Sequence, residues 1–174
     1  NGKDKSNLKI GFRNNTFTSS DSKFIAGKEY RFTCKYKNTN PDIKLDSGMF
    51  WLWYYNTSSS TVRINSANTD AVESYNKSTF EYTLTFTMPD DCRDYNNANI
   101  YFADYNGSLS GYEAYFADFK LGNLTDNTVV NMFPEITSSN VYTSSEEANN
   151  KWRVPVGWDS KVTIEDIGNT FDPV

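Results

Sequence analysis

Two stretches of this chain alternate apolar and polar residues without a break. In "EYRFTCKYK", Tyr30, Phe32, Cys34 and Tyr36 alternate with Glu29, Arg31, Thr33, Lys35 and Lys37. In "FEYTLTFTMP", Phe80, Tyr82, Leu84, Phe86 and Met88 alternate with Glu81, Thr83, Thr85 and Thr87. A period of two is the geometry of a strand with one buried face and one open face, the antiparallel pattern. The runs "NLKIGF", "TVRI" and "KVTIEDI" (161–167) are shorter strand candidates, and "NTNPD", "LDSG", "NTSSS", "MPDD" and "NGSLSG" supply the turns between them. The best helical signal is a turn or two at "SSEEANNK", where Ser145 could cap a first turn rich in Glu. The pattern predicts an all-β chain built from two packed sheets.

At 174 residues the chain suits one domain with a real core. The segment 125–174 has a different texture: polar and irregular, with Pro134, Pro155 and Pro173, yet carrying Trp152, Trp158 and KVTIEDI. A disordered linker rarely holds such residues, so residues 1–124 are expected to form the sandwich and 125–174 an extension folded back on it. The net charge of −5 and the lack of a basic stripe argue against a nucleic-acid partner. No apolar run approaches the roughly 20 residues of a membrane span. The opening "NGKDKSN" is neither a signal peptide nor an anchor, so an exported chain would have lost its signal or be a module of something longer. There is no histidine, which removes the commonest general base and the usual zinc ligand. Cys34 and Cys92 are either one bridge or two buried thiols, and the thiol reading is preferred.

Aromatic residues make up 16% of the chain, with 12 Tyr, 12 Phe and 4 Trp, more than one core face per strand requires. The word YFAD occurs twice, at 101–104 and 115–118, on either side of "NGSLSG". If the two copies pair as a hairpin, Ile100 and Phe102 should face the core together with Tyr115, Ala117, Phe119 and Leu121. The opposite face would then present Tyr101, Ala103, Tyr105, Tyr112, Ala114 and Phe116. "MFWLWYYN" raises the same issue, with Phe50, Leu52 and Tyr54 on one side and Trp51, Trp53 and Tyr55 on the other. One reading is a central strand covered on both faces. The preferred one is a platform on which flat rings stack against the C–H faces of sugars, with Arg31, Lys35, Glu81 and Thr83 on non-core faces supplying hydrogen bonds to hydroxyls.

The stretches "GKEYRFTCKYK", "FEYTLTFTMPDD" and "NANIYFADYNGSLSGYEAYFADFKLGNL", taken in series, resemble the carbohydrate-binding modules of the families 4, 9 and 22 superfamily over about residues 8–124. The resemblance implies a jelly-roll β-sandwich that binds polysaccharide without cleaving it. It assigns sugar stacking to Trp51, Trp53, Tyr55, Tyr101, Tyr105 and Tyr112. It also implies a structural calcium near Asp118, although the pair of acidic residues usual there is Ala117-Asp118 in this chain.

The expected function is therefore non-catalytic polysaccharide binding, with a starch-like α-glucan or a plant-wall β-glucan or xylan as ligand. The module would be an extracellular or cell-surface monomer serving a glycan-degrading system, part of a larger protein, with no membrane insertion and no required cofactor. An adhesin or structural module using the aromatic face for protein contact is the alternative. A glycoside hydrolase working through two carboxylates drawn from Glu81, Asp104, Glu113 and Asp118 ranks below both.

Overall fold

The computed structural model describes residues 8–12, 24–39, 50–65, 70–95, 98–104, 114–130, 141–143 and 152–154. Among these residues eleven strands are formed: β1 (Leu8–Phe12), β2 (Glu29–Asn38), β3 (Phe50–Tyr55), β4 (Thr61–Ile64), β5 (Val72–Asn76), β6 (Glu81–Thr87), β7 (Asn99–Asp104), β8 (Ala114–Asn123), β9 (Thr128–Val130), β10 (Val141–Thr143) and β11 (Trp152–Val154). They make a six-stranded sheet in the order β10-β11-β1-β7-β3-β4 and a five-stranded sheet in the order β5-β6-β2-β8-β9. Every pairing is antiparallel except β10 with β11. From β1 to β8 the chain changes sheet at each connection, apart from the β3–β4 and β5–β6 hairpins. The fold is an all-β sandwich of two sheets, the class that the alternation predicts, and its winding is that of the jelly roll that the resemblance implies. KVTIEDI, SSEEANNK and Trp158 lie outside the described residues.

The alternating strands fold as their period demands. Tyr30, Phe32, Cys34 and Tyr36 of β2 and Tyr82, Leu84 and Phe86 of β6 are all buried and meet Phe50, Leu52, Tyr54, Ile64 and Ile100 of the facing sheet. The Phe50 ring lies 4.6 Å from that of Tyr82 and 5.2 Å from that of Phe32. Much of the aromatic content is thus structural, since each buried ring removes on the order of 150–250 Å² from water. Buried tyrosines need partners for their hydroxyls, and each core tyrosine has one. Tyr30 Oη accepts from Ile25 N (2.8 Å), Tyr36 Oη accepts from Asn38 Nδ2 (3.1 Å), Tyr54 Oη donates to Asp91 (2.9 Å), and Tyr82 Oη donates to Glu73.

The YFAD hairpin does not form. The first copy lies on β7 in the six-stranded sheet and the second on β8 in the five-stranded sheet, so the two do not pair. The expected facing of β8 is corrected as well. Its register with β2 slips between Thr33 and Lys35: Thr33 pairs with Lys120 while Lys35 pairs with Ala117, leaving one extra residue on β8. Asp118 sits in that bulge with φ of 53°, a left-handed conformation tolerated by Asp better than by most side chains. The bulge reverses the phase. Phe119 and Leu121 face the core as expected, but so does Phe116, whose ring is 5.0 Å from that of Tyr36. Tyr115 and Ala117 instead align with Lys37 and Lys35 on the outer face.

Cys34 and Cys92 are free, buried thiols. Burial, reinforced by the nearby Glu81 charge, holds the Cys34 thiol well above its ordinary pKa, and burial also raises that of Cys92. Both act as small apolar groups.

Candidate functional site

Strand β3 lies between β7 and β4, and its even-numbered residues belong to the core. Pleating therefore turns Trp51, Trp53 and Tyr55 to the outer face of the six-stranded sheet. The two tryptophans are half-buried and Tyr55 is 37% exposed. Trp53 and Tyr55 meet edge to face with centroids 4.7 Å apart. From Trp51 to Tyr55 the row runs about 13 Å, at roughly 3.3 Å per strand residue.

Two arginines complete this face. The β3–β4 hairpin pairs Trp53 with Arg63, and the Arg63 guanidinium reaches back over the Trp51 ring at 5.3 Å. At the other end, Arg93 lies over the Tyr55 ring at 5.1 Å. Its backbone N–H donates to the Tyr55 carbonyl (2.8 Å), and Nη1 donates to Ser59 Oγ (2.9 Å). An isolated bridge between Asn56 and Cys92 ties the Arg93 segment to the end of β3. Arg63 had a readable signal: with Val62 and Ile64 facing inward, a hairpin through "NTSSS" turns Arg63 to the tryptophan side. Arg93 had none, because it reaches the site from an irregular segment.

The aromatic and polar residues assigned from the sequence do not form one site. Arg31, Lys35 and Glu81 lie on the outer face of the five-stranded sheet, across the full thickness of the sandwich from Trp51, Trp53 and Tyr55. There Lys35 faces Glu81 in register and donates to the Thr79 carbonyl (2.6 Å), while Arg31 Nε lies 3.5 Å from Thr85 Oγ1. The reason is topological: parity within a strand separates core from surface, but does not say which of the two surfaces. Tyr101 pairs with Trp51 in backbone register on β7. Tyr105, Tyr112 and Glu113 lie outside the described residues, and Asp104 pairs with Leu8 at the end of β7.

No three of His, Cys, Asp and Glu converge among the described residues. Asp118, the residue the resemblance places nearest a calcium, is an exposed carboxylate on a bulge of β8. No helix among the described residues is long and apolar enough to cross a membrane. Comparison with known protein families, curated proteins and solved structures returned no match.

Proposed function

We propose that this chain is a non-catalytic polysaccharide-binding module whose ligand lies along the outer face of the six-stranded sheet. The observation that carries this reading is the outward row Trp51, Trp53 and Tyr55, bordered by Arg63 and Arg93. Flat rings offer stacking surface to sugar C–H faces, and guanidinium N–H groups serve as donors to ring substituents. Glycoside hydrolysis needs two carboxylates flanking the bond, whereas the described residues of this row are aromatic and basic. A glucan or xylan is the ligand class, and an extracellular or cell-surface setting, as one part of a glycan-degrading protein, fits such a role. A polysaccharide partner is proposed here without a cofactor.

Trp, Tyr and Arg are also the residues that dominate protein interfaces, which keeps protein contact as the competing reading. Affinity electrophoresis through starch, xylan and mixed-linkage β-glucan separates the two. Retardation of the folded wild type, lost in Trp53→Ala, supports sugar binding. Free migration in every gel, together with a dimer in solution that Trp53→Ala dissociates, supports protein contact and defeats the proposal.

A further inference from the structure

Trp53 and Tyr55 are neighbours on one face of β3, yet their rings are not coplanar. The ring planes stand 73° apart with centroids 4.7 Å from each other, an edge-to-face pair. The ends of the row depart from flatness as well, because a guanidinium lies over each end ring, Arg63 over Trp51 at 5.3 Å and Arg93 over Tyr55 at 5.1 Å. Tyr55 is the one ring among the large apolar side chains exposed in the described residues. It also sits where two segments are tied together, since Arg93 donates from its backbone N–H to the Tyr55 carbonyl and from Nη1 to Ser59 Oγ.

A sugar stacks on an aromatic ring when the two faces lie nearly parallel. Rings 73° apart therefore accept sugar residues that are themselves steeply inclined to one another. A β-1,4-glucan does not offer such residues. Its equatorial linkages hold successive rings in one flat ribbon, so it can stack on Trp53 or on Tyr55 but not on both. An α-1,4-glucan leaves each residue through an axial bond and coils, turning each ring against the next. A β-1,4-xylan lacks the hydroxymethyl groups that brace the ribbon, and it twists about its axis with the same result.

We infer that this face selects glycan chains whose successive rings are inclined to one another, a coiled α-1,4-glucan or a twisted xylan, over the flat β-1,4-glucan ribbon. The inference rests on the proposed sugar-binding role and narrows its ligand class. Selectivity is a difference between two affinities. Here that difference is one stacked ring, which the turning chain gains and the flat one forgoes.

The test is calorimetry with maltohexaose, xylohexaose and cellohexaose, three chains of equal length, on wild type and Tyr55→Ala. Folding is checked by circular dichroism. The better of the first two is expected to bind about tenfold more tightly than cellohexaose, the worth of one stacked ring, and the comparison between them tells which chain is preferred. Tyr55→Ala should lose most of that ratio. Cellohexaose binding as tightly as the better turning chain overturns the inference and leaves the sugar platform standing. A ratio that survives intact in Tyr55→Ala overturns it as well, because the selectivity would then arise away from the inclined pair. If the variant does not fold or does not bind, the wild-type ratio decides alone. Absence of wild-type binding to all three chains removes the platform and the inference together.

Discussion

The two outer faces of this sandwich were built by the same alternation and came out chemically unlike. On the five-stranded sheet the outward residues of β2 and β6 are Glu29, Arg31, Thr33, Lys35, Lys37, Glu81, Thr83, Thr85 and Thr87, a polar surface of cross-strand pairs such as Thr33 with Thr83 and Lys35 with Glu81. On the six-stranded sheet the outward residues of β3 are two tryptophans and a tyrosine. A solvated sheet face needs β-propensity and solubility, and threonine with paired charges supplies both. Nothing in the folding of a sandwich asks for Trp51 and Trp53 on the outside. The polar face is the internal control for the aromatic one, and the contrast between them points to a role for the latter beyond stability.

The largest effect expected from that contrast is on binding. Trp53→Ala should weaken polysaccharide affinity by about thirtyfold, the scale of an aromatic hot spot. Arg31→Ala, Lys35→Ala and Glu81→Gln on the opposite face should leave it within about twofold. Affinity loss from the polar-face variants, with Trp53→Ala silent, would reverse the assignment of the two faces.

Next comes stability, measured by urea denaturation. Leu52→Ala removes a fully buried side chain and should cost about 2–5 kcal/mol. Its neighbour Trp53 is only half-buried, and Trp53→Ala should cost clearly less than Leu52→Ala. Equal costs would mean that the outer face of β3 is covered like the inner one, which would remove the platform.

An alkaline titration probes the core between the faces. Burial first, and a carboxylate partner second, raise the pKa values of Tyr54 and Tyr82 above the ordinary tyrosine value. The folded chain thus binds these protons more tightly than the unfolded chain, and that contribution to stability is complete below about pH 10. It is lost as the pH rises beyond that towards the folded-state values. Tyr82→Phe should flatten the alkaline decline, and an unchanged slope would show that other groups control it.

The smallest effects belong to the surface of the five-stranded sheet. Asp118→Gly should stabilise by up to about 1 kcal/mol, because glycine adopts the left-handed conformation of the bulge without a Cβ penalty. Arg31→Ala should shift stability by no more than about 0.5 kcal/mol. A large loss in Asp118→Gly would indicate that the carboxylate has work to do at the bulge.

The sheets, the core of β2 and β6, and the outward row on β3 were all legible in the sequence, because an unbroken period of two separates inside from outside. β8 was not legible, because its parity argument assumed continuity and the bulge at Asp118 inserts one residue between Phe116 and Phe119. The YFAD copies do not pair because strands adjacent in a sandwich sequence often belong to different sheets, as β7 and β8 do. The site was half legible. Its aromatics follow from parity, but Arg93 is brought to Tyr55 by long-range packing, which no local pattern encodes.

Glu73, the hydrogen-bond partner of Tyr82, also bears on how the molecule behaves in a crowd. Among the described residues it lies on β5, the last strand of the five-stranded sheet, with Val72 beside it 64% exposed. An open sheet edge is a template on which another chain can add a strand, and natural proteins blunt such edges with inward-turned charges. A second copy aligning on β5 would bring its own strand against a half-buried carboxylate already committed to a core tyrosine. The bond that satisfies Tyr82 thereby also guards the edge: Glu73→Val would trade a buried hydrogen bond for an apolar, β-prone strand end, and light scattering should report more self-association than in the wild type.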